Sequence, residues 1–474
     1  MTLFDTWLLV GYALTLLLFP WILLQRKEPV ATVAWILAVL VFPVFGAVLF
    51  LLFGVNRVAR RVALKEAAKT RIGPSLPALS SYHLLPGEHL DPLCDSMARL
   101  ATCVALTRPT RDNRIEIQND TNRTLALIQD AIEQARDSIH VQYYIWQPDR
   151  TGTQLRDKLI QKARQGVKIR VLFDGIGSLW LGRSFLKPMR EAGIEVAPFV
   201  AGFSWWDRYS VNLRNHRKIV IVDGQVGFTG GMNIGDEYLG RNPQIGYWRD
   251  THLRAEGPAV LQLQQVFAED WFFATNQQLT DPALFPHPAT TGKQISQVVA
   301  GGPHEGHDAF HAILFGAING AQRHIMLTAS YFVPTAPLLT ALQVAACRGV
   351  KVQLLVAVKR NYRWMVMAGR AYYERLLMSG VELYEYRGGL LHAKTITVDG
   401  AWSLVSTANF DPRSLFLNFE CGLALYDPQS AAQLEQHFAA DLEKSRKVEL
   451  AEWQKRAAWR RMAENFAALF SPIL

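Results

Sequence analysis

Cysteine is scarce in this 474-residue chain, limited to Cys94, Cys103, Cys347 and Cys421. Their spacing fits neither a metal site nor a disulfide framework, which excludes a stapled secreted fold and suits a reducing compartment with burial as small apolar residues. An acidic excess is also missing: 50 Lys and Arg outnumber 41 Asp and Glu, giving a net charge of +9. That balance favours an anionic partner, either nucleic acid or an acidic membrane surface. The basic residues are spread along the chain without forming a nucleic-acid module, which argues against a nucleic-acid partner. Charge is absent altogether from residues 7–24 and 30–55. At about 1.5 Å per residue each stretch is long enough to cross a core of about 30 Å, and Pro20 and Pro43 are tolerable there. No basic leader and no small-residue cleavage site precede them, so a removable signal peptide is not expected.

Basic residues flank these apolar stretches unequally. Arg26 and Lys27, with Glu28, occupy the connection, while Arg57, Arg60, Arg61, Lys65, Lys69 and Arg71 follow the second stretch with only Glu66 opposing. The heavier flank predicts two transmembrane helices within 1–55, both termini cytoplasmic. Residues 56–105 read as a basic amphipathic segment, lying on an acidic leaflet or solvated as a linker, and then a connector containing Pro74, Pro77, Pro86 and Pro92.

From about residue 106 the chain repeats itself. The stretch Gln165-Gly166-Val167-Lys168 returns as Arg348-Gly349-Val350-Lys351, and Ala192-Gly193-Ile194-Glu195 as Ser379-Gly380-Val381-Glu382. Helix, Gly-Val-Lys and apolar strand form a βαβ signature, which predicts two α/β halves with mostly parallel sheets meeting at a seam. The halves are placed at 106–285 and 286–474, joined by a Pro-rich connector over 270–300, with an amphipathic helix over 430–470 at the end.

Inside each half lies one motif. His216-Arg217-Lys218, four residues, Asp223, six residues, Gly230-Gly231, one residue and Asn233 match His392-Ala393-Lys394, Asp399, Ser406-Thr407 and Asn409 at identical spacing. The β-branched run and the Asp-Gly pair at 223–224 and 399–400 predict a hairpin. Strand alternation puts His216 with Lys218, and His392 with Lys394, on one face. Asp223 and Asp399 complete the motif and are counted with its catalytic residues, although their parity has them pin the turn instead of orienting an imidazole. An imidazole, an ammonium and an amide donor suit a phosphate: Lys neutralises charge, Asn donates, and His attacks phosphorus or moves a proton. A Lys between the candidate ligands and the absence of a zinc spacing argue against a metal. His304, His307 and His311 have a metal-like spacing of their own but no supporting Cys or second His group.

The duplicated motif resembles that of the phospholipase D superfamily. Asn212 through Lys218, Gly230 through Leu239, Trp248 through His252, and Asn409 through Glu420 are similar to the bacterial cardiolipin synthase family, over nearly the whole chain. One departure is Gly-Gly, then Ser-Thr, before the Asn residues, where the superfamily favours Gly-Ser. The resemblance implies two pseudo-symmetric phospholipase D-like α/β/α sandwich domains around one active site, preceded by an N-terminal two-helix membrane hairpin. It implies a phosphatidyltransferase acting on phosphatidylglycerol to give cardiolipin and glycerol through a phosphohistidine, with no cofactor. Asn233 and Asn409 bind the phosphate, and Glu420 and Asp250 orient the imidazoles. The expected setting is the bacterial inner membrane, multi-pass, with catalytic domains on the cytoplasmic side; a homodimer is one compatible assembly. Rival readings are a hydrolytic phospholipase D, a nuclease and a non-catalytic lipid-binding scaffold. Two clusters suit a membrane interface or the core: Phe203, Trp205, Trp206 and Tyr209, and Tyr362, Trp364, Met365 and Met367 among Arg360, Arg363 and Arg370.

Overall fold

The computed structural model describes residues 3–25, 29–55, 58–84, 90–199, 213–289, 292–303, 308–358 and 363–471. Outside them lie Arg26, Lys27, Glu28, Arg57, the cluster Phe203, Trp205, Trp206 and Tyr209, His304, His307, Arg360 and Tyr362. Two compact units are present, Met1–Leu64 and Lys65–Leu474.

In the first unit a helix over Leu3–Leu24 is followed by Pro29–Val41, Pro43–Leu49 and a π-helical turn over Phe50–Gly54. The continuous span expected over 30–55 is therefore broken. Pro43 lacks an amide hydrogen and crowds the residue before it, and Phe42 leaves the helical region at φ −125°, ψ 71°. Among the described residues no helix is long and apolar enough to cross a membrane. An apolar helical unit thus stands where the sequence predicts two spanning helices. It gathers Leu18, Ile22, Val39, Ala47 and Phe50 inside and leaves Leu16, Leu17, Leu24, Val30 and Phe45 exposed.

In the second unit the first repeat supplies strands β1 (Thr110–Asp120), β2 (Ser138–Tyr143), β3 (Lys168–Phe173), β4 (Glu195–Pro198), β5 (Arg214–Asn215), β6 (Ile219–Val222), β7 (Val226–Gly230) and β8 (Trp248–Glu256). The second repeat supplies β9 (Gln294–Gly301), β10 (His324–Ala329), β11 (Lys351–Ala357), β12 (Glu382–Tyr386), β13 (Leu390–Leu391), β14 (Lys394–Val398), β15 (Trp402–Ser406), β16 (Asn418–Leu425) and β17 (Ser445–Lys447). Hydrogen bonding runs β4-β3-β2-β6-β7-β8-β1 in the first half. It passes through β1–β9 and β9–β16, and continues β15-β14-β10-β11-β12-β17. Among the described strands within each half, β2-β3-β4 and β10-β11-β12 are the ones that pair in parallel. The mostly parallel sheet expected from the βαβ signature is corrected to a mixed one, because the hairpin that carries the motif joins antiparallel to β2, or β10, at the end of the parallel trio.

Both motif hairpins form as the sequence requires. Asp223 and Gly224 have φ of 52° and 63°, and Asp399 and Gly400 have φ of 55° and 64°, the positive pair at the centre of a tight turn closed by Gln225 N–H to the Val222 carbonyl, or Ala401 N–H to that of Val398. Other expectations change. Helix Pro258–Thr275 and strand β9 take up the two ends of the connector expected over 270–300. Residues 92–105 are a helix capped by Asp91, packed into the core of the second half. The final helix expected over 430–470 is cut into Pro428–Leu442, β17, Leu450–Gln454 and Ala458–Ala468, since β17 joins the edge of β12. Nor is the basic segment wholly at the surface. Lys65 is buried with its ammonium 2.8 Å from Asp270, and Arg71 lies over the ring of Phe272.

Candidate active site

The two motifs face one cavity because each half reaches into the other. β5, just before His216, pairs in parallel with the start of β16. β13, just before His392, pairs in parallel with the start of β8. The amide of His216 donates to the carbonyl of Phe419 at 2.8 Å, and that of His392 to the carbonyl of Arg249 at 2.7 Å. The next residue along each receiving strand carries a carboxylate. His216 Nδ1 lies 2.8 Å from Glu420 Oε2, and His392 Nδ1 lies 2.7 Å from Asp250 Oδ2. Each imidazole is therefore held by the acid of the opposite half. With Nδ1 tied to a carboxylate, Nε2 is the ring nitrogen left for the cavity.

Both His216 and His392 line a cavity of about 240 Å³, together with Asn233 and Asn409. Asn233 Oδ1 accepts from the amide of Ile145 at 3.2 Å, and Asn409 Oδ1 from the hydroxyl of Ser330 at 2.7 Å. Those bonds fix both amides with the carbonyl oxygen occupied and the NH₂ donor left for an anion. Lys218 and Lys394 are buried beneath, and each ammonium donates to the carbonyl of its own motif histidine. They act on the cavity through charge, not as part of its wall.

Burial dominates the acid–base state. It draws His216 down to about 4, with Lys218 and Lys394 adding to the shift and Glu420 opposing it. Burial and Lys394 draw His392 down to about 4 against the pull of Asp250. At neutral pH both imidazoles are therefore neutral. Lys218 is lowered to about 7 and Lys394 to about 8, again by burial. Burial would raise Asp250 and Glu420, but His392 and His216 respectively overcome it and hold both acids below the usual carboxylate range.

Asp223 and Asp399, counted with the catalytic residues in the sequence, take no place in the cavity. Asp223 accepts from the amides of Arg136, Asp137 and Ser138, each at 2.8 Å. Asp399 does the same for Gln322, Arg323 and His324. They tie the motif turn to the start of β2 and β10. His311 is bonded to Thr335 at 3.0 Å.

The unequal small residues before the Asn have a steric reason. A Cβ on Gly231 would stand 2.0 Å from Asp250 Oδ1. In the other half the hydroxyl of Thr407 donates to Glu420 and accepts from the amide of Cys421. The Thr407 hydroxyl thus serves the orienting carboxylate, not the phosphate.

Sequence reasoning missed part of the wall. Tyr144 stands edge-on to His216 at 4.7 Å, and Trp248 lies 5.2 Å from His392. Tyr331, Met365, Asp411 and Arg413 also line the cavity, and burial raises Asp411 to about 7. Also missed was Arg217, which sits between the motif His and Lys and is buried against Asp270 at 2.7 Å. Its partner lies 53 residues away in the sequence, which leaves no local mark.

The family model described as "Cardiolipin synthase, PLD-like domain" matches residues 128–271 and 314–442, and "Phospholipase_D-nuclease N-terminal" matches residues 13–54. Cardiolipin synthase 1 of Bacillus cereus is 37% identical, over 96% of this chain and 91% of its own. The cardiolipin synthase of Halalkalibacterium halodurans is 35% identical over the same shares. The crystal structure of phosphatidylserine synthase from Haemophilus influenzae matches in fold, with a TM-score of 0.62 at 15% identity, over 81% of this chain and 98% of that one.

Proposed function

The chain belongs to the cardiolipin synthase family of phospholipase D-like proteins, and from that premise we propose that it joins two phosphatidylglycerol molecules into cardiolipin and glycerol. The observation that carries this reading is the crossed pair of imidazoles on one cavity, each braced by the other half's carboxylate.

His216 Nε2 attacks the phosphorus of the first lipid. The bond from phosphorus to the glycerol headgroup oxygen breaks, and that oxygen takes a proton from His392. A phosphatidyl group is left on His216. His392 then removes the proton from a hydroxyl of the second lipid, whose oxygen displaces His216 from phosphorus. One phosphodiester is broken and one is made, so the exchange runs near equilibrium. The incoming phosphate anion opposes the burial and the repulsion from Lys394 and Lys218 that keep His392 neutral, and so favours its protonated form. Asn233 and Asn409 donate to the phosphate oxygens. Fixed donors and buried ammonium groups supply the positive field for the developing charge. A hydrolase would use the same cage with water. On the reading that the cavity lies beside bilayer lipid, lipid hydroxyls reach it more readily than water.

The apolar unit Met1–Leu64 is read as the part seated in a bacterial inner membrane, with the catalytic unit on the cytoplasmic side. Its exposed Leu16, Leu17, Leu24 and Val30 support this, as does the basic flank behind it. A C-terminal reporter active only outside the inner membrane would overturn that placement.

The direct test supplies purified protein with phosphatidylglycerol vesicles and a chelator of divalent metals. Cardiolipin plus glycerol is the expected outcome, and phosphatidic acid as the sole lipid product would show a hydrolase. With radiolabelled donor, adduct on the His216→Ala protein would refute the order of the two histidines.

A further inference from the structure

We propose that a face built by helix Ala458–Ala468 and helix Arg363–Arg370 is a contact with an anionic bilayer, set beside the opening of the catalytic cavity; the proposal rests on the reading that the substrate is bilayer lipid. The C-terminal helix has two unlike sides. Glu464 and Ala467 are buried, and Ala467 packs with Val333 and Ala368. On the opposite side Trp459, Met462, Phe466 and Phe470 recur at helical spacing and are 65%, 72%, 54% and 40% exposed. Trp364, 54% exposed, extends the patch, its ring 6.5 Å from Phe466 and 6.3 Å from Phe470. An apolar patch of this extent on an otherwise polar surface marks an interaction site.

Its chemistry selects the partner. From Lys455 to Phe470 the chain carries Lys455, Arg456, Arg460 and Arg461, and one acid, Glu464, already paired with Arg456; Arg461 lies 3.8 Å from Glu374. Arg460 lies over the ring of Trp459 at 5.3 Å. Indole and phenyl rings flanked by guanidinium groups fit the boundary between acyl chains and anionic headgroups.

Position supports the same partner. Met365, next to Trp364, lines the catalytic cavity. Its helix follows β11, and the cavity also takes Tyr331, which follows the parallel neighbour β10. In the first half the loop after β3, at the corresponding end of the sheet, exposes Ile176, Leu179 and Trp180. Both halves therefore set apolar side chains around the end of the molecule where the cavity lies.

The test uses the full chain. Cys103→Ala and Cys347→Ala remove the two exposed thiols, leaving Cys94 and Cys421 buried. Met462→Cys then carries an environment-sensitive fluorophore, and phosphatidylglycerol vesicles are added. A blue shift is expected. An unchanged emission, or a shift that follows protein concentration without lipid and so reports a second copy, would overturn the proposal. In parallel, a Trp459→Glu, Phe466→Glu double variant should lose about fivefold or more of its activity on vesicles, since charge opposes interfacial insertion. Its activity on dispersed short-chain phosphatidylglycerol should stay near wild type. Equal loss on both substrates, or on neither, would contradict the assignment. Wild-type protein that makes no cardiolipin from either substrate would sink the reaction while leaving the fluorescence result to judge the surface.

Discussion

At the scale of single residues, the chemistry rests on which nitrogen of each imidazole is free. Asp250→Asn and Glu420→Gln keep the size of the brace but remove its charge. Asp250 is one of the groups that favour a proton on His392. Asp250→Asn should therefore lower the proton affinity of His392 and move the alkaline limb of the kcat profile to lower pH. A loss of about 10²–10⁴-fold is expected if proton transfer is compromised; an unmoved limb would deny Asp250 that role. The lysines set a second pH dependence. Lys218 and Lys394 carry charge below about 7 and about 8 and lose it above. Attraction for the phosphodiester then fades as pH rises through that window, so kcat/KM, which reports the free enzyme, should fall. A kcat/KM still rising beyond pH 9 would contradict charged lysines as the source of binding. His, Lys and Asn were legible in the sequence because their spacing repeats. That each carboxylate serves the other half's histidine was not, since strand pairing between distant segments leaves no local mark.

At the scale of elements, one buried charge cluster ties several segments to the motif. Asp270, on helix Pro258–Thr275, meets Arg217 and Lys65 and accepts from Gln142 and Asn215. The two cations hold its pKa below the usual carboxylate range in spite of burial. Its contribution to stability is thus full above its unfolded value of about 3.9 and is lost as pH falls through the folded one. Lys65→Ala leaves a buried carboxylate short of a partner and should cost about 3–5 kcal/mol, read as a lower denaturant midpoint. Adding Asp270→Asn should then cost less than Asp270→Asn costs alone, because in the Lys65→Ala protein only Arg217 still depends on that carboxylate; a purely additive double variant would show that the pair is not coupled. The sequence read Lys65 as one of a basic run facing lipid or solvent, since composition cannot reveal which member of a run turns inward. The hairpins were legible because Asp-Gly specifies the turn. The break at Phe42 was missed because Pro43 was judged by what membranes tolerate, not by what proline does to its predecessor.

At the scale of the whole molecule, the repeats are not two beads. β1 pairs with β8 of its own half and with β9 of the other, and β5 and β13 each cross to the opposite repeat. Either half expressed alone should lack the brace for its own histidine and show no transfer activity, and mixing separately folded halves should not restore it. The sequence showed two copies of a motif and the halves that carry them, but the swap of strands that closes the site is a property of the assembled sheets. The most direct measurement is a crystal structure with orthovanadate in the cavity. The expected result is one vanadate per chain, bonded to Nε2 of His216, with Nε2 of His392 within hydrogen-bond reach on the opposite side. Two separate anions, one at each histidine, would contradict a single shared phosphorus site.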